Sequence, residues 1–248
     1  MFPSKYLIIN ADDFNLTRGV DRAILECHDK GLVTSTTVLV TLPFLKSSVK
    51  ELRRRPFLGK GIHLSLTLGE AVHPKTPFPL KRELLKRLHK LSGKDVEREY
   101  EAQILKFKKL LGEFPSHMDT HHHVHIVPNI LSAVRRLSAK YDMPYRLQTH
   151  HLFEDLDPKK HWTREKFAQC LRKLPSGISE IMVHPGFVGA PLRKISSFLT
   201  GRNAERKLLQ DAKLRSLLDE INIKLINFND LAYFKPLYEK TSHSHHQR

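Results

Sequence analysis

Leu7-Ile8-Ile9-Asn10-Ala11-Asp12-Asp13-Phe14 begins as an apolar run and ends in two adjacent carboxylates. The run is short, rich in isoleucine and bounded by polar residues, so it reads as a buried strand. Two carboxylates at the end of such a strand repel each other and lose hydration unless a positive group sits beside them. The other reading is an exposed strand-to-helix turn, with Asp13 or Thr17 capping a helix that begins near Arg18.

Outward from this stretch the pattern repeats. Apolar runs near 33–42, 60–66, 116–121, 145–148, 179–184 and 223–228 read as further strands. Amphipathic stretches lie between them. From Asp95 to Leu111 the residues Val96, Tyr100, Ile104, Phe107 and Leu111 recur at helical intervals. A second stretch opens on Pro128, a favourable first-turn residue, and carries Ile130, Val134, Leu137 and Tyr141. A third, Asn203 to Ile221, places Leu208, Ala212 and Leu218 on one side. Strands alternating with helices predict an α/β fold with right-handed βαβ units and a parallel sheet. About seven such units close, or nearly close, a TIM-like (β/α) barrel, with an open doubly wound sheet as the alternative. No repeat or linker divides the chain, so residues 1–240 are expected to form one domain and 241–248 a frayed polar tail. Irregular stretches remain at 69–82, 149–163 and 186–201, each after an expected strand, where α/β barrels carry their catalytic loops.

Composition narrows the chemistry. The 248 residues are 40% apolar, enough for a core, and no apolar stretch approaches the ~20 residues of a membrane span. No signal peptide is visible, because the first apolar run stops at Asn10. The only cysteines, Cys27 and Cys170, are far apart, which fits a reducing cytoplasm and excludes a disulfide framework or a thiolate cage. A metal in this chain is therefore held by oxygen and imidazole. The net charge of +16 is spread over segments such as Arg53-Arg54-Arg55 and Lys106 to Lys109, mostly at helical spacing with leucines. It reads as solvated helix faces, with recognition of an anion as the other option.

Three more strand ends carry residues that a core does not need. In Lys60-Gly61-Ile62-His63-Leu64-Ser65-Leu66 alternation sets His63 and Ser65 on one face. In His117-Met118-Asp119-Thr120-His121-His122-His123-Val124-His125 it sets His117, Asp119 and His121 together, with His123 and His125 if the strand continues. Imidazoles this dense must be largely neutral, or bound to metal or carboxylate. Asp119 is placed to take the second nitrogen of a histidine ligand. Ile181-Met182-Val183-His184-Pro185-Gly186 ends a strand on a histidine before a break. Asp12, Asp13, His63, His121 and His184 all fall at or near the ends of expected parallel strands, which a barrel brings around one axis. A carboxylate and two imidazoles make a site for one divalent ion: zinc, iron, nickel or cobalt, or magnesium with extra water. One Asp and one His are then left over as general base and general acid.

At these residues the chain resembles the YdjC-like carbohydrate deacetylase family, including its ChbG-type diacetylchitobiose and chitooligosaccharide deacetylases. The resemblance rests on A-D-D-F (Ala11 to Phe14), G-I-H-L (Gly61 to Leu64), H-x-D-x-H-x-H-x-H (His117 to His125), H-P-G (His184 to Gly186) and Arg-x-x-Glu (Arg202 and Glu205). It implies a distorted, incomplete (β/α) barrel holding one divalent metal, Mg2+ or Zn2+. It also implies Asp13, His63 and His121 as ligands, Asp12 as base and His184 as acid. His123, His125 and Arg146 then line the sugar pocket, and Asp119 is grouped with them. Two departures stand out: Asn15 where the family commonly has glycine, and His122 where it commonly has glutamine. Asparagine tolerates a left-handed backbone, so the turn survives.

The expected partner is thus a small N-acetylated sugar, without a specific nucleic acid or a membrane, and a homodimer is left open. A phosphoesterase on the same barrel is the first rival, favoured only by the basic composition. A nucleic-acid-binding protein is the second, and it leaves the histidine cluster unexplained.

Overall fold

The computed structural model describes residues 5–44, 46–146, 151–153 and 162–234. In chain order the strands and α-helices are β1 (Lys5–Phe14), α1 (Arg18–Asp29), β2 (Ser35–Val38), α2 (Lys46–Arg53), β3 (Gly59–Leu64), α3 (Gly93–Leu111), β4 (Met118–Thr120) and α4 (Pro128–Tyr141). They continue with β5 (His151–Phe153), α5 (Arg164–Lys173), β6 (Gly177–Val183), α6 (Ala190–Ile195), α7 (Thr200–Leu208), α8 (Ala212–Glu220) and β7 (Ile223–Leu225). Short 3-10 segments run over Arg82–Lys90, His121–Ile126 and Phe228–Phe234. Strands and helices alternate as the periodicity predicts, and the strand pairings are parallel: the fold is α/β.

The chain divides into two compact units, one of residues 1–36, 57–59 and 147–248, the other of 37–56 and 60–146. In the first, β1 pairs with β6 and with β7, and β6 also pairs with β5. The register sets Ile9 against Ile181 and Ala11 against Val183. One residue further along each strand come Asp12 and His184. Ile8, Ile178, Ile226, Phe228 and Leu231 form an apolar cluster in this unit, with Tyr6 and Phe234 packed on it. α1 starts where expected, and of the two candidate caps it is Thr17 that accepts the Val20 N–H, at 3.3 Å.

In the second unit β3 and β4 pair with Ile62 against Met118, His63 against Asp119 and Leu64 against Thr120. An isolated parallel bridge joins Met118 to Tyr145, which brings Arg146 alongside. α3 and α4 pack together, and their buried faces hold Tyr100, Ile104, Phe107, Ile130, Val134 and Leu137. α3 ends on Gly112 at φ 85, a left-handed position that favours glycine.

Several expectations change. The histidine run does not continue β4: the strand stops at Thr120, and His122 (φ 59) and His123 (φ 51) take left-handed backbone. Strand alternation therefore does not order His121, His123 and His125. Histidine is among the residues enriched at positive φ, which is why the chain can turn here without glycine. The helix expected over 203–221 is two helices, α7 and α8. The Asp211 carboxylate accepts the Lys213 N–H and starts the second, so a cap interrupts a continuous apolar period. α6 and β5 occupy parts of stretches read as irregular. Of the strand expected at 145–148, residues 147–148 lie outside the described residues, as do most of 149–163 and the tail 241–248.

Candidate active site

In the first unit β1 delivers Asp12 and Asp13, both buried. Extended alternation would send them to opposite faces, but Asp13 has φ 72 and Asn15 φ 75, so the pleat is already broken there. The Asn15 N–H is held by Asp21 Oδ1 at 2.6 Å. Asp12 Oδ1 accepts from Asn10 Nδ2 at 2.8 Å, and its Oδ2 lies 3.9 Å from His184 Nε2. His184 directly follows β6, with its side chain 23% exposed, within reach of water. Asp13 Oδ2 accepts from Arg202 Nη2 at 2.6 Å, supplying the positive group that the paired carboxylates called for. Close by, Glu205 is buried and its carboxyl is pushed up to about 7. Loss of hydration is the main cause, opposed by N–H donors from His184 and Trp162 and by the Arg202 charge, and the Asp12 charge adds a further push upward.

In the second unit the β3–β4 register sets His63 beside Asp119. His63 Nδ1 is 2.5 Å from Asp119 Oδ1, while Asp119 Oδ2 accepts from Arg146 Nη2 at 2.7 Å and from Thr37 Oγ1 at 2.9 Å. An imidazole that donates from Nδ1 to a carboxylate presents Nε2 with its lone pair, as a metal ligand does. His121 follows Thr120, and its Nδ1 lies 2.7 Å from Thr67 Oγ1, with the His63 and His121 ring centroids 5.5 Å apart. His125 is buried with Nδ1 2.5 Å from Thr120 Oγ1, and His123 stands edge-on to it at 5.9 Å between centroids. Arg146 is 1% exposed and paired with Asp119. His117, first of the cluster, packs against Gly61, where an added Cβ would come within 2.4 Å of its ring.

Among the described residues the first unit brings Asp12 to His184 and Asp13 to Arg202, and the second brings His63 and Arg146 to Asp119. The hydroxyls of Thr37, Thr67 and Thr120 escaped the sequence reading. For Thr67 a signal existed: alternation from His63 through Ser65 puts it on the same face. Thr37 and Thr120 sit in ordinary β-branched strand sequence and carry no such mark.

The profile of the YdjC-like protein family matches residues 6–220. The chain belongs to that family. Among the curated relatives, a carbohydrate deacetylase of Halalkalibacterium halodurans is 37% identical over 84% of this chain and 96% of its own length. A chitooligosaccharide deacetylase of Proteus mirabilis is 30% identical over 91% of this chain and 98% of its own. Among solved structures, an Enterococcus faecalis protein provisionally named for cellobiose-phosphate cleavage superposes with a TM-score of 0.81 at 28% identity. It covers 92% of this chain and 99% of that one.

Proposed function

We propose that this protein is a hydrolase that removes the N-acetyl group from an amino sugar or a short N-acetylated oligosaccharide and releases acetate. The observation that carries the reading is the carboxylate–imidazole pair of Asp12 and His184, 3.9 Å apart. It supplies a base and an acid in a chain whose relatives are named as deacetylases. Amide hydrolysis needs both. A water must lose a proton as it attacks the acetyl carbon, and the amine nitrogen must gain one as the C–N bond breaks. Asp12, buried beside the Asn10 amide, takes the first proton, and His184, at the more exposed strand end, delivers the second.

The residues fit a divalent ion. The donors are carboxylates and imidazoles without a thiolate, and the His63–Asp119 contact orients one ring as ligands are oriented. In this reading Asp13, His63 and His121 hold one Mg2+ or Zn2+, and Asp119 orients His63. A bound ion supplies Lewis-acid polarisation of the acetyl carbonyl and a more acidic water. A second assignment has its own support: Asp13 is engaged by Arg202, so the other buried aspartate, Asp12, is the alternative carboxylate ligand beside His63, with Asp119 as a further donor. Metal content of Asp12→Asn and Asp13→Asn separates the two. His123 and His125 belong to the sugar pocket in this reading.

The incomplete barrel, a single deacetylase domain over residues 1–240 and a cytoplasmic setting, which suits the free Cys27 and Cys170, also belong to this proposal. Among the described residues no helix is long and apolar enough to cross a membrane. The test is an acetate-release screen over N-acetylated sugars, with the protein stripped and reloaded with Mg2+, Zn2+ or Co2+, and a phosphatase assay beside it. Acetate release with a returned metal is expected. Phosphatase activity without acetate release overturns the reading.

A further inference from the structure

One helix touches both strand ends of the first unit. Arg202, Glu205 and Arg206 stand at i, i+3 and i+4 on α7 and therefore share a face. Glu205 Oε2 accepts the His184 main-chain N–H at 2.6 Å, and the Trp162 N–H reaches the same carboxyl. The Arg202 carbonyl accepts the Gly186 N–H at 3.0 Å, while the Arg202 guanidinium donates to Asp13 Oδ2 and, through Nε, to Phe198 O at 2.9 Å. Arg206 lies over the Phe187 ring at 4.4 Å, with Arg22 of α1 over the same ring at 4.7 Å. The segment His184-Pro185-Gly186-Phe187 is thus held at His184, Gly186 and Phe187. Gly186 packs closely on the same helix: a Cβ there would lie 3.1 Å from Arg202 Cδ and 3.3 Å from Val20 Cγ2.

Burying a carboxyl is costly, and a neutral residue would pack on an apolar strand end more favourably. A buried Glu205 that spends its oxygens on main-chain N–H groups therefore calls for a role. Pro185 lacks an N–H and restricts the backbone of His184 to extended conformations. Glu205 holds the His184 peptide plane by its N–H, and from that plane the ring reaches Phe198, at 5.4 Å between centroids, and Asp12.

We propose that α7 is a positioning element of the site, with Glu205 as a positioning residue for the acid His184, while Arg202 on the same face holds the neighbouring Asp13. This rests on the reading of His184 as the proton donor. Glu205 touches no reacting atom. Its effect is to hold the imidazole where the departing nitrogen needs it, and displacement by about 1 Å at such a position can cost on the order of 10²-fold in rate.

The test uses the full-length, metal-loaded protein and its best N-acetylated sugar. E205L removes the acceptor, and E205Q keeps one carbonyl oxygen in place. The expected order of kcat is wild type, then E205Q, then E205L, with E205L down about 10²-fold and KM and metal content unchanged. Faster amide exchange in the peptide spanning 181–187 should accompany the loss. If E205L does not fold, E205Q against wild type carries the comparison, with lowered kcat at constant KM as the expected result. Wild-type kcat in the folded variants, or losses that follow metal release or a raised KM, overturn the positioning role. An inactive wild type across the sugar panel overturns the proposed function instead, so the two failures are distinguishable.

Discussion

The β1–β6 end of the first unit and the β3–β4 end of the second both hold buried ionisable groups, by different means. In the first, main-chain N–H groups and one guanidinium do the holding: Glu205 takes the His184 N–H, and Asp13 takes Arg202. In the second, side chains hold side chains, with His63, Thr37 and Arg146 all on Asp119. Main-chain tethers fix position but do not offset the whole loss of hydration, so a carboxyl as buried as Glu205 still sits up at about 7. A guanidinium and a hydroxyl on one carboxylate fix charge, and through it the tautomer of the attached imidazole. The first arrangement suits groups that exchange protons. The second suits groups that must stay put as ligands.

The largest expected effect breaks the first region at its carboxylates. Asp12→Asn should lose ~10²–10⁴-fold in deacetylase turnover with its metal retained, because an amide accepts no proton. Asp13→Asn should lose metal and activity together, partly restored by excess metal. Elemental analysis beside kinetics reads both. If Asp12→Asn is the variant rescued by metal, the two aspartates exchange roles and Asp12 joins His63 and Asp119 as a ligand.

Next comes the second region. Asp119→Asn leaves Arg146 buried opposite a neutral amide. Breaking a buried pair in this way costs roughly 3–5 kcal/mol of stability, measurable by denaturant unfolding. Metal affinity should fall by about 10–100-fold as His63 loses its orienting partner. Wild-type affinity in a destabilised protein would mean that Asp119 is structural only.

How much of this was legible depended on what each residue type announces. The β1 run, α3 and α4 were plain because apolar period alone fixes them. Asp12, Asp13, His63 and His184 stood out as polar residues that buried strand ends do not need. The turn at His122 and His123 was not legible, since period-2 reading assumes an extended chain and nothing nearby is glycine or proline. Nor was the grip of α7: Arg202 and Glu205 were visible as a motif, but only the fold shows that one meets Asp13 and the other the His184 N–H.

Between the largest and smallest effects lies the pH dependence of stability. The Glu205 carboxyl is raised from 4.5 to about 7, so between these values the folded protein binds more protons there than the unfolded chain. Stability from this group is therefore fully present below pH 4.5 and declines as pH rises through 7. The integrated loss is on the order of 3 kcal/mol. Glu205→Gln cannot ionise and should lose that component of the slope, so its stability relative to wild type should improve from pH 5 to pH 8. Parallel curves for the two proteins would place the titration elsewhere.

The smallest expected effect tests the second region at one hydroxyl. Thr67 Oγ1 lies 2.7 Å from His121 Nδ1 and 2.9 Å from His122 Nδ1, and the two rings meet at a 37° tilt with centroids 3.8 Å apart. A hydroxyl has one proton, so it can donate to only one of these nitrogens and must accept from the other. If His121 is a ligand through Nε2, its Nδ1 carries the proton and donates to Thr67, which then donates to His122. The neighbouring His122, where the family commonly has glutamine, thereby becomes the acceptor that fixes the tautomer of His121. Thr67→Val keeps the shape and removes the relay. It should cost about 1 kcal/mol of stability and lower metal affinity by about tenfold, the weak end of the range for an orienting partner. His122→Ala should weaken the metal less than Thr67→Val, because Thr67 can still accept from His121. Unchanged metal affinity in Thr67→Val would show that His121 is not oriented this way, and would favour the ligand set of Asp12, His63 and Asp119.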